Sequence, residues 1–217
     1  MAIAKKTPGM LDIPPMNLKR MTLTLRGVSP LIMHKWSAKA KTEMRDKQMQ
    51  AAKQKKGAKV PVDDFIESMY WLEGEPIKTP MNQDLPDILA AGRYGFPTIA
   101  FKASAVDACT QISGIAKTEA RGAFHIYGEL VEIVGKPVMR EDMVRIGMGT
   151  ADLRYRGEFR DWSATITITY NANMLSPAQI ANLFQVAGFA VGVGEWRPSK
   201  DGSNGRFEVD MSSIICE

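Results

Sequence analysis

The chain has 217 residues, of which 45% are hydrophobic, and it carries a formal net charge of +4. This length and apolar content are sufficient for one elaborated domain with a buried core, and no apolar run approaches the roughly 18 residues that cross a bilayer. Two cysteines and two histidines are too few for a disulfide framework or a typical zinc site. We therefore expect a cytoplasmic protein with reduced thiols, no metal, no cofactor and no membrane partner.

The first half of the chain predicts one clear strand followed by polar and irregular segments. Residues 1–17 are rich in proline and methionine and lack periodicity, so we expect a flexible arm. Residues 19–26 alternate apolar and polar side chains and predict a half-buried strand. Ser37 is a suitable N-cap for a polar helix that runs to about Lys56. Residues 62–71 are a second helix candidate.

The second half predicts a regular alternation of helices and strands. Residues 101–115 have helical spacing of apolar side chains, and Ser176-Pro177 is the preferred order for the start of another helix. The segments that read as strands are 123–134, 143–148, 164–170 and 206–211. This order predicts an α+β protein with a ferredoxin-like or RRM-type βαββαβ core. Residues 18–217 would then form a single domain, with an insertion at about 28–97 after the first strand.

A glycine-rich basic segment, Gly188 to Gly205, joins the last predicted helix to the last strand. Glycines permit positive φ and close backbone approach, and exposed backbone N–H groups can then form a nest for phosphate oxygens. The candidate contacts in and beside this segment are Gly192, Gly194, Trp196, Arg197, Lys200, Gly202, Gly205 and Arg206. The alternative is a long turn whose glycines only satisfy backbone geometry. A dinucleotide-binding fingerprint is excluded because the segment follows a helix instead of opening one.

Positive charge is concentrated between Lys35 and Lys59, a segment that contains nine basic residues and two acidic ones. Such clustering is typical of a surface that binds a polyanion. We therefore take Lys35, Lys39 and Arg45 as further candidates for nucleic-acid contact, with a solvated helix face as the alternative. The acidic residues that follow this block could serve contacts between copies of the chain.

The segment 96–108 (FPTIAFKASAVDA), the predicted core and the glycine-rich segment together resemble the RAMP superfamily, the RRM-like proteins of CRISPR effector complexes and of guide-RNA processing. Pro97, Phe101, Lys102 and Ala103 match the family's pattern at the start of the first core helix. The resemblance implies that this helix start and the glycine loop hold a nucleic-acid backbone, which adds Lys102 to the candidates. It also implies that the insertion interlocks neighbouring copies. The sequence as a whole also resembles proteins of tailed phages, which suggests a phage-encoded relative that acts in the host cytoplasm.

His34 follows the first strand, where RNA-cleaving members of the resembled family often carry a catalytic histidine. The alternative is a histidine that packs beside Trp36 or touches a phosphate. We therefore expect a non-enzymatic protein that binds single-stranded nucleic acid, RNA or DNA, with little sequence preference, as a filament or oligomer or within a multi-subunit ribonucleoprotein. The rival hypotheses are a metal-independent RNA-processing ribonuclease that uses His34, and a phage protein that interacts with or mimics a CRISPR complex subunit.

Overall fold

The computed structural model describes residues 14–50, 58–76, 85–146 and 149–217. Of the predicted arm, only residues 14–17 lie within these ranges. The strands are β1 (Leu18–Gly27), β2 (Leu31–Met33), β3 (Tyr70–Glu73), β4 (Arg93–Pro97), β5 (Phe124–Ile126), β6 (Leu130–Ile146), β7 (Thr150–Asn171) and β8 (Phe207–Cys216). The helices are α1 (Ala38–Gln48), α2 (Pro61–Glu67), α3 (Leu85–Ala91), α4 (Thr98–Ala108), α5 (Lys117–Ala123) and α6 (Pro177–Ala190), with a 3₁₀ turn at Pro198–Lys200.

In the described part of the chain these strands form one sheet in the order β3-β4-β6-β7-β1-β8, and β2 and β5 also pair with β7. Every pairing is antiparallel. The expected mixed α and β protein with an antiparallel sheet is therefore confirmed. In chain order, the central elements are β1, α4, β6, β7, α6 and β8, which brings the start of α4 and the end of α6 to the same face of the sheet.

The core lies between the sheet and helices α4 and α6. Met21, Leu23 and Leu25 of β1 point into it and are fully buried. From α4, the Phe101 ring lies 6.0 Å from that of Phe207, and from α6 the Phe184 ring lies 5.9 Å from that of Phe124. The apolar alternation of residues 19–26 therefore gives one buried face, as the sequence predicts.

The opposite face of β1 is polar and lies against the polar face of β7. Thr24 Oγ1 lies 3.0 Å from Thr165 Oγ1, and Thr22 Oγ1 lies 3.4 Å from Thr167 Oγ1. Hydroxyl pairs of this kind are one way in which neighbouring strands hold their register on a solvent-facing surface. This face is remote from the helices, so it takes no part in the site that the helices position.

The hairpin of β6 and β7 is much longer than the sequence pattern predicts. We predicted separate strands at 143–148 and 164–170. Residues 143–146 belong to β6, which has 17 residues, and residues 164–170 belong to β7, which has 22 residues. Residues 147–148 lie outside the described residues. Ion pairs support the added length, because Arg156 bonds Asp142 at 3.0 Å and Arg140 bonds Glu158 at 2.8 Å. Arg156 and Glu158 are buried. A charged sequence that pairs with itself across a hairpin does not show the apolar alternation that marks a strand.

Three predicted helices have boundaries that differ from the observed ones. The polar helix begins after its predicted cap, Ser37, but ends at Gln48, where Met49 caps it and Gln50 has a φ of 55°. Residues 51–57 lie outside the described residues. The second helix ends at Glu67 because residues 70–73 pair with β4 instead. Helix α4 starts directly after Pro97 and ends at Ala108. No helix in the described ranges is long and apolar enough to cross a membrane.

Candidate functional site

A groove of about 310 Å³ opens between the start of α4 and the segment that follows α6. One wall is formed by residues 191–195 together with Arg197, and the other by β4 and α4, through Phe96, Pro97, Ile99, Ala100, Ala103, Ser104 and Asp107. His34 and Tyr70 also line it. The groove therefore brings together the two segments that carried the sequence resemblance, and we refer to it below as the α4 groove.

Helix α4 begins at this groove, and Pro97, Ile99 and Ala100 of its start belong to the lining. Its N-cap, Pro97, provides no side-chain capping bond. Thr98 is anchored elsewhere, because its N–H donates to the carbonyl of Glu129 at 2.9 Å and its hydroxyl to that of Gly128 at 2.6 Å. The next N–H groups belong to the first helical turn, which has no intrahelical acceptors. Together with the helix dipole, they make this wall attractive to an anion.

The glycine-rich segment is packed tightly against itself and against the turn between β1 and β2. Gly192, Gly194 and Gly205 have φ values of 69°, 78° and 65°. A Cβ atom at Gly205 would overlap the carbonyl oxygen of Val193, and one at Gly202 would overlap that of Trp196. Turn geometry, the alternative interpretation of these glycines, therefore accounts for Gly202 and Gly205.

Most backbone N–H groups of this segment already have acceptors. Gly205 donates to the carbonyl of Pro30 at 2.7 Å, Val193 to that of Gly205 at 2.9 Å, and Glu195 to that of Ile32 at 3.1 Å. Within the described residues, the N–H groups that find no acceptor are those of Gly194, Trp196, Arg197 and Ser203. A phosphate nest in this segment would therefore be restricted to a few groups.

Arg197 is the basic side chain that the structure places in the groove. Its Nη1 donates to the carbonyl of Gly194 at 2.9 Å, and its Nε donates to Ser199 Oγ at 3.0 Å. These two bonds fix the plane of the guanidinium group and leave further N–H donors for a ligand. A guanidinium held in this way is well suited to bind a phosphate or carboxylate.

His34 has an acidic partner that the sequence pattern did not reveal. Its Nδ1 lies 3.4 Å from Glu195 Oε1, across the end of the groove. The hydrogen bond with His34, with further help from the charges of Arg156 and Arg197, lowers the pKa of Glu195 despite burial. Tyr70 lies nearby, and burial followed by the charge of Glu195 raises the pKa of its hydroxyl. Glu195 and Tyr70 are among the lining residues that sequence reasoning missed, because no local motif marks either of them.

Several predicted residues belong to the same region but do not line the groove. Lys200, Gly202, Gly205 and Arg206 lie in or beside the glycine-rich segment and are not part of the lining of the groove. Trp196 is 46% exposed and has a φ of 54°, so its indole ring is accessible beside the groove.

Other predicted contacts lie elsewhere. Lys102 turns away from the groove, because its Nζ lies 2.9 Å from His125 Nδ1 and 5.9 Å from the centre of the Phe124 ring. Burial there lowers the pKa of its ammonium group. Lys35 lies 3.9 Å from a carboxylate oxygen of Glu75. Arg45 is exposed in the last turn of α1, and the side chain of Lys39 lies outside the described residues.

No protein-family model matches the sequence, and no curated protein matches it either. The structure is similar to a chain in the cryo-EM structure of the Type III-B Cmr-beta bound to cognate target RNA, with a TM-score of 0.50 and 9% identity. That match covers 92% of this chain, which spans 60% of the length of the other. At this identity the likeness shows the fold alone, and the expected RAMP-like fold is confirmed.

Two other solved structures give lower scores. The crystal structure of Cmr6 from Pyrococcus furiosus has a TM-score of 0.36 at 13% identity, over 89% of this chain and 99% of that one. A chain titled CRISPR RNA-guided surveillance complex also has a TM-score of 0.36, at 8% identity, over 87% of this chain and 66% of that one.

Proposed function

We propose that this chain is a non-catalytic protein that binds a single strand of nucleic acid mainly through its phosphate backbone, with the α4 groove as the centre of the binding surface. The observation that supports this most is the convergence on one groove of the start of α4 and of the segment after α6, through Pro97, Ile99, Ala100 and Ala103 on one side and residues 191–195 with Arg197 on the other. The two segments are distant in the sequence, and the fold brings together a helix start, positive-φ glycine backbone and a guanidinium group. Each of these features attracts phosphate.

The proposal assigns the βαββαβ core to β1, α4, β6, β7, α6 and β8. The neighbouring strands β8-β1-β7-β6 then have the order of a ferredoxin-type sheet, and the two helices are its crossover connections. Residues 28–97 are the insertion within a single domain that spans residues 18–217. This assignment explains why the loop after α6 and the start of α4 lie side by side, since the two helices are neighbours on one face.

Base stacking would add to backbone binding at the edge of the groove. Trp196 is accessible beside it, and Ile99 on the first turn of α4 is 68% exposed. An exposed indole offers a stacking surface to any base, which is why such contacts give little sequence preference. Lys200 and Arg206 would attract the strand by charge alone, from positions beside the groove.

Helix α1 would provide a second surface for the strand or for another copy of the chain. It carries basic residues in its last turn and contributes few apolar side chains to the core. We propose that Arg45, Lys35 and Lys39 extend the positive surface, and that α1 and the acidic first turn of α2 make contacts in an oligomer or a larger ribonucleoprotein. This role agrees with the solved structure of similar fold, which is described as Cmr-beta bound to target RNA.

Fluorescence anisotropy with labelled single-stranded RNA, single-stranded DNA and duplex DNA tests the proposal. We expect both single strands to bind more tightly than the duplex, with affinity falling steeply as salt rises from about 50 to about 200 mM. A preference for duplex, or binding that does not depend on salt, would overturn the proposed mode. Lack of binding by every nucleic acid would favour a protein-interaction role, such as that of a mimic of a complex subunit.

The pairing of His34 with Glu195 favours a second candidate, a metal-independent ribonuclease. A histidine held by a carboxylate can act as a general acid or base near neutral pH. The distinguishing observation is the integrity of the RNA after incubation with the protein in EDTA. Cleavage that disappears in a His34→Ala variant would show that the chain is a ribonuclease. Intact RNA would support the non-catalytic binding function.

A further inference from the structure

The α4 groove has apolar walls and a polar end, which is the arrangement of a site for a flat ring with polar edges. Phe96, Pro97 and Ile99 line one wall, and Val193 lines the other. The volume of about 310 Å³ lies at the small end of the range for ligand pockets. An unstacked base is the part of a nucleic-acid strand that fits such walls, because its faces are apolar and its edge is polar.

The polar end of the groove is dominated by an acceptor. Glu195 directs Oε1 towards His34, while Oε2 has no hydrogen-bond partner among the described residues. Its depressed pKa keeps the carboxylate ionised at neutral pH, and an ionised carboxylate only accepts hydrogen bonds. Tyr70 lines the same groove, and the charge of Glu195 acts on its hydroxyl, for which no hydrogen-bond partner is found within the described ranges. The groove therefore offers a charged acceptor where the edge of a base would lie.

We infer that the α4 groove holds one unstacked nucleobase, and that Glu195 makes the site select guanine over the other bases. The inference rests on the proposed function, since it needs a single strand on this surface. Guanine presents two adjacent donors, N1–H and the N2 amino group, which match the two oxygens of one carboxylate. Adenine and cytosine present one amino group beside a ring acceptor, and the single N–H of uracil lies between two carbonyl oxygens that the carboxylate repels.

The site would add selectivity at one position to binding that is otherwise indifferent to sequence. Arg197 and the start of α4 would hold the flanking phosphates, while the base enters between them. Because the carboxylate is also close to His34 and Arg197, it remains ionised even when a phosphate is bound near it. The Glu195 side chain is 42% exposed in the free protein. A base that covers it without donating to it removes water and supplies no hydrogen bond in return, so the other bases are penalised.

Anisotropy with four U-rich RNA 12-mers that differ only at one central position tests this inference. We expect guanine there to raise the affinity by about tenfold over uracil, since a good bidentate contact discriminates by roughly that amount. Replacing the guanine by 1-methylguanine removes the N1–H donor and should abolish the gain without any change to the protein. The variant Glu195→Gln should reduce the ratio of guanine to uracil affinity, whereas Glu208→Gln, at an exposed position of β8, should leave that ratio unchanged.

The outcomes separate this inference from the proposed function. Equal affinity for the four oligonucleotides would overturn the inference and leave backbone binding intact. A guanine preference that survives both 1-methylguanine and Glu195→Gln would also overturn it, because the preference would then arise elsewhere. If none of the oligonucleotides binds, the proposed function and the inference both fail.

Discussion

Replacing Gly205 by alanine is expected to lower the free energy of unfolding by about 3 kcal/mol, in the upper range for a single substitution. Gly205 has a φ of 65°, which an L side chain rarely adopts, and its new Cβ would overlap the carbonyl oxygen of Val193. That carbonyl belongs to backbone and cannot rotate away as a side chain would. The N–H of Gly205 is also bonded to Pro30 at 2.7 Å, so relief of the overlap would break the contact between the loop and the β1–β2 turn.

Gly122→Ala is the matched control. Gly122 lies in α5 with no atom within 4 Å of a Cβ at that position, so alanine there should increase stability by about 0.5–1 kcal/mol through helix propensity. Urea denaturation of the three proteins compares the two effects directly. If Gly205→Ala is as stable as the wild type, Gly205 does not pack against the carbonyl oxygen of Val193.

Arg197→Ala is expected to weaken single-strand binding by about tenfold or more, the cost of losing a charge-assisted contact. It should also flatten the dependence of log affinity on log salt by about 0.7 for each phosphate no longer neutralised on a single strand. The reason is geometric, because the bonds to Gly194 and Ser199 hold this guanidinium in the groove before any ligand arrives. Lys200→Ala should cause a smaller loss, since Lys200 does not line the groove.

Two control variants distinguish the effect of net charge from the effect of the position of Arg197 in the groove. Arg121→Ala removes an exposed arginine from α5, outside the groove, and should change neither the affinity nor the salt slope appreciably. Arg197→Lys keeps the charge but loses the planar fork, so we expect an intermediate affinity. Equal losses for Arg197→Ala and Arg121→Ala would mean that binding responds to net charge and not to this groove.

The sequence predicted the elements that follow strong local rules. The alternation of residues 19–26, the cap and proline at Ser176-Pro177, and the strict alternation of 164–170 all correspond to observed elements. Each of these signals comes from a buried face or a helix end, where burial and capping restrict the choice of residues. The sequence therefore predicted correctly that the glycine-rich segment joins α6 to β8.

The site could be predicted only in part, because long-range pairing decides it. The contact between His34 and Glu195 joins positions far apart in the chain, and no spacing rule predicts it. The direction of Lys102 depends on where β5 lies against α4, and the motif alone does not contain that information. The tight packing of Gly202 against Trp196 likewise required the folded loop, so a glycine-rich pattern could not distinguish a phosphate nest from a turn.

Photo-crosslinking of a single-stranded RNA that carries 4-thiouridine, followed by mass spectrometry of the attached peptides, tests the central claim most directly. The account predicts that the crosslinked peptides contain residues 97–103 and residues 191–197, and that excess unlabelled single strand suppresses both. Crosslinks confined to the threonine-rich face of β1 and β7, with none in those two segments, would contradict it.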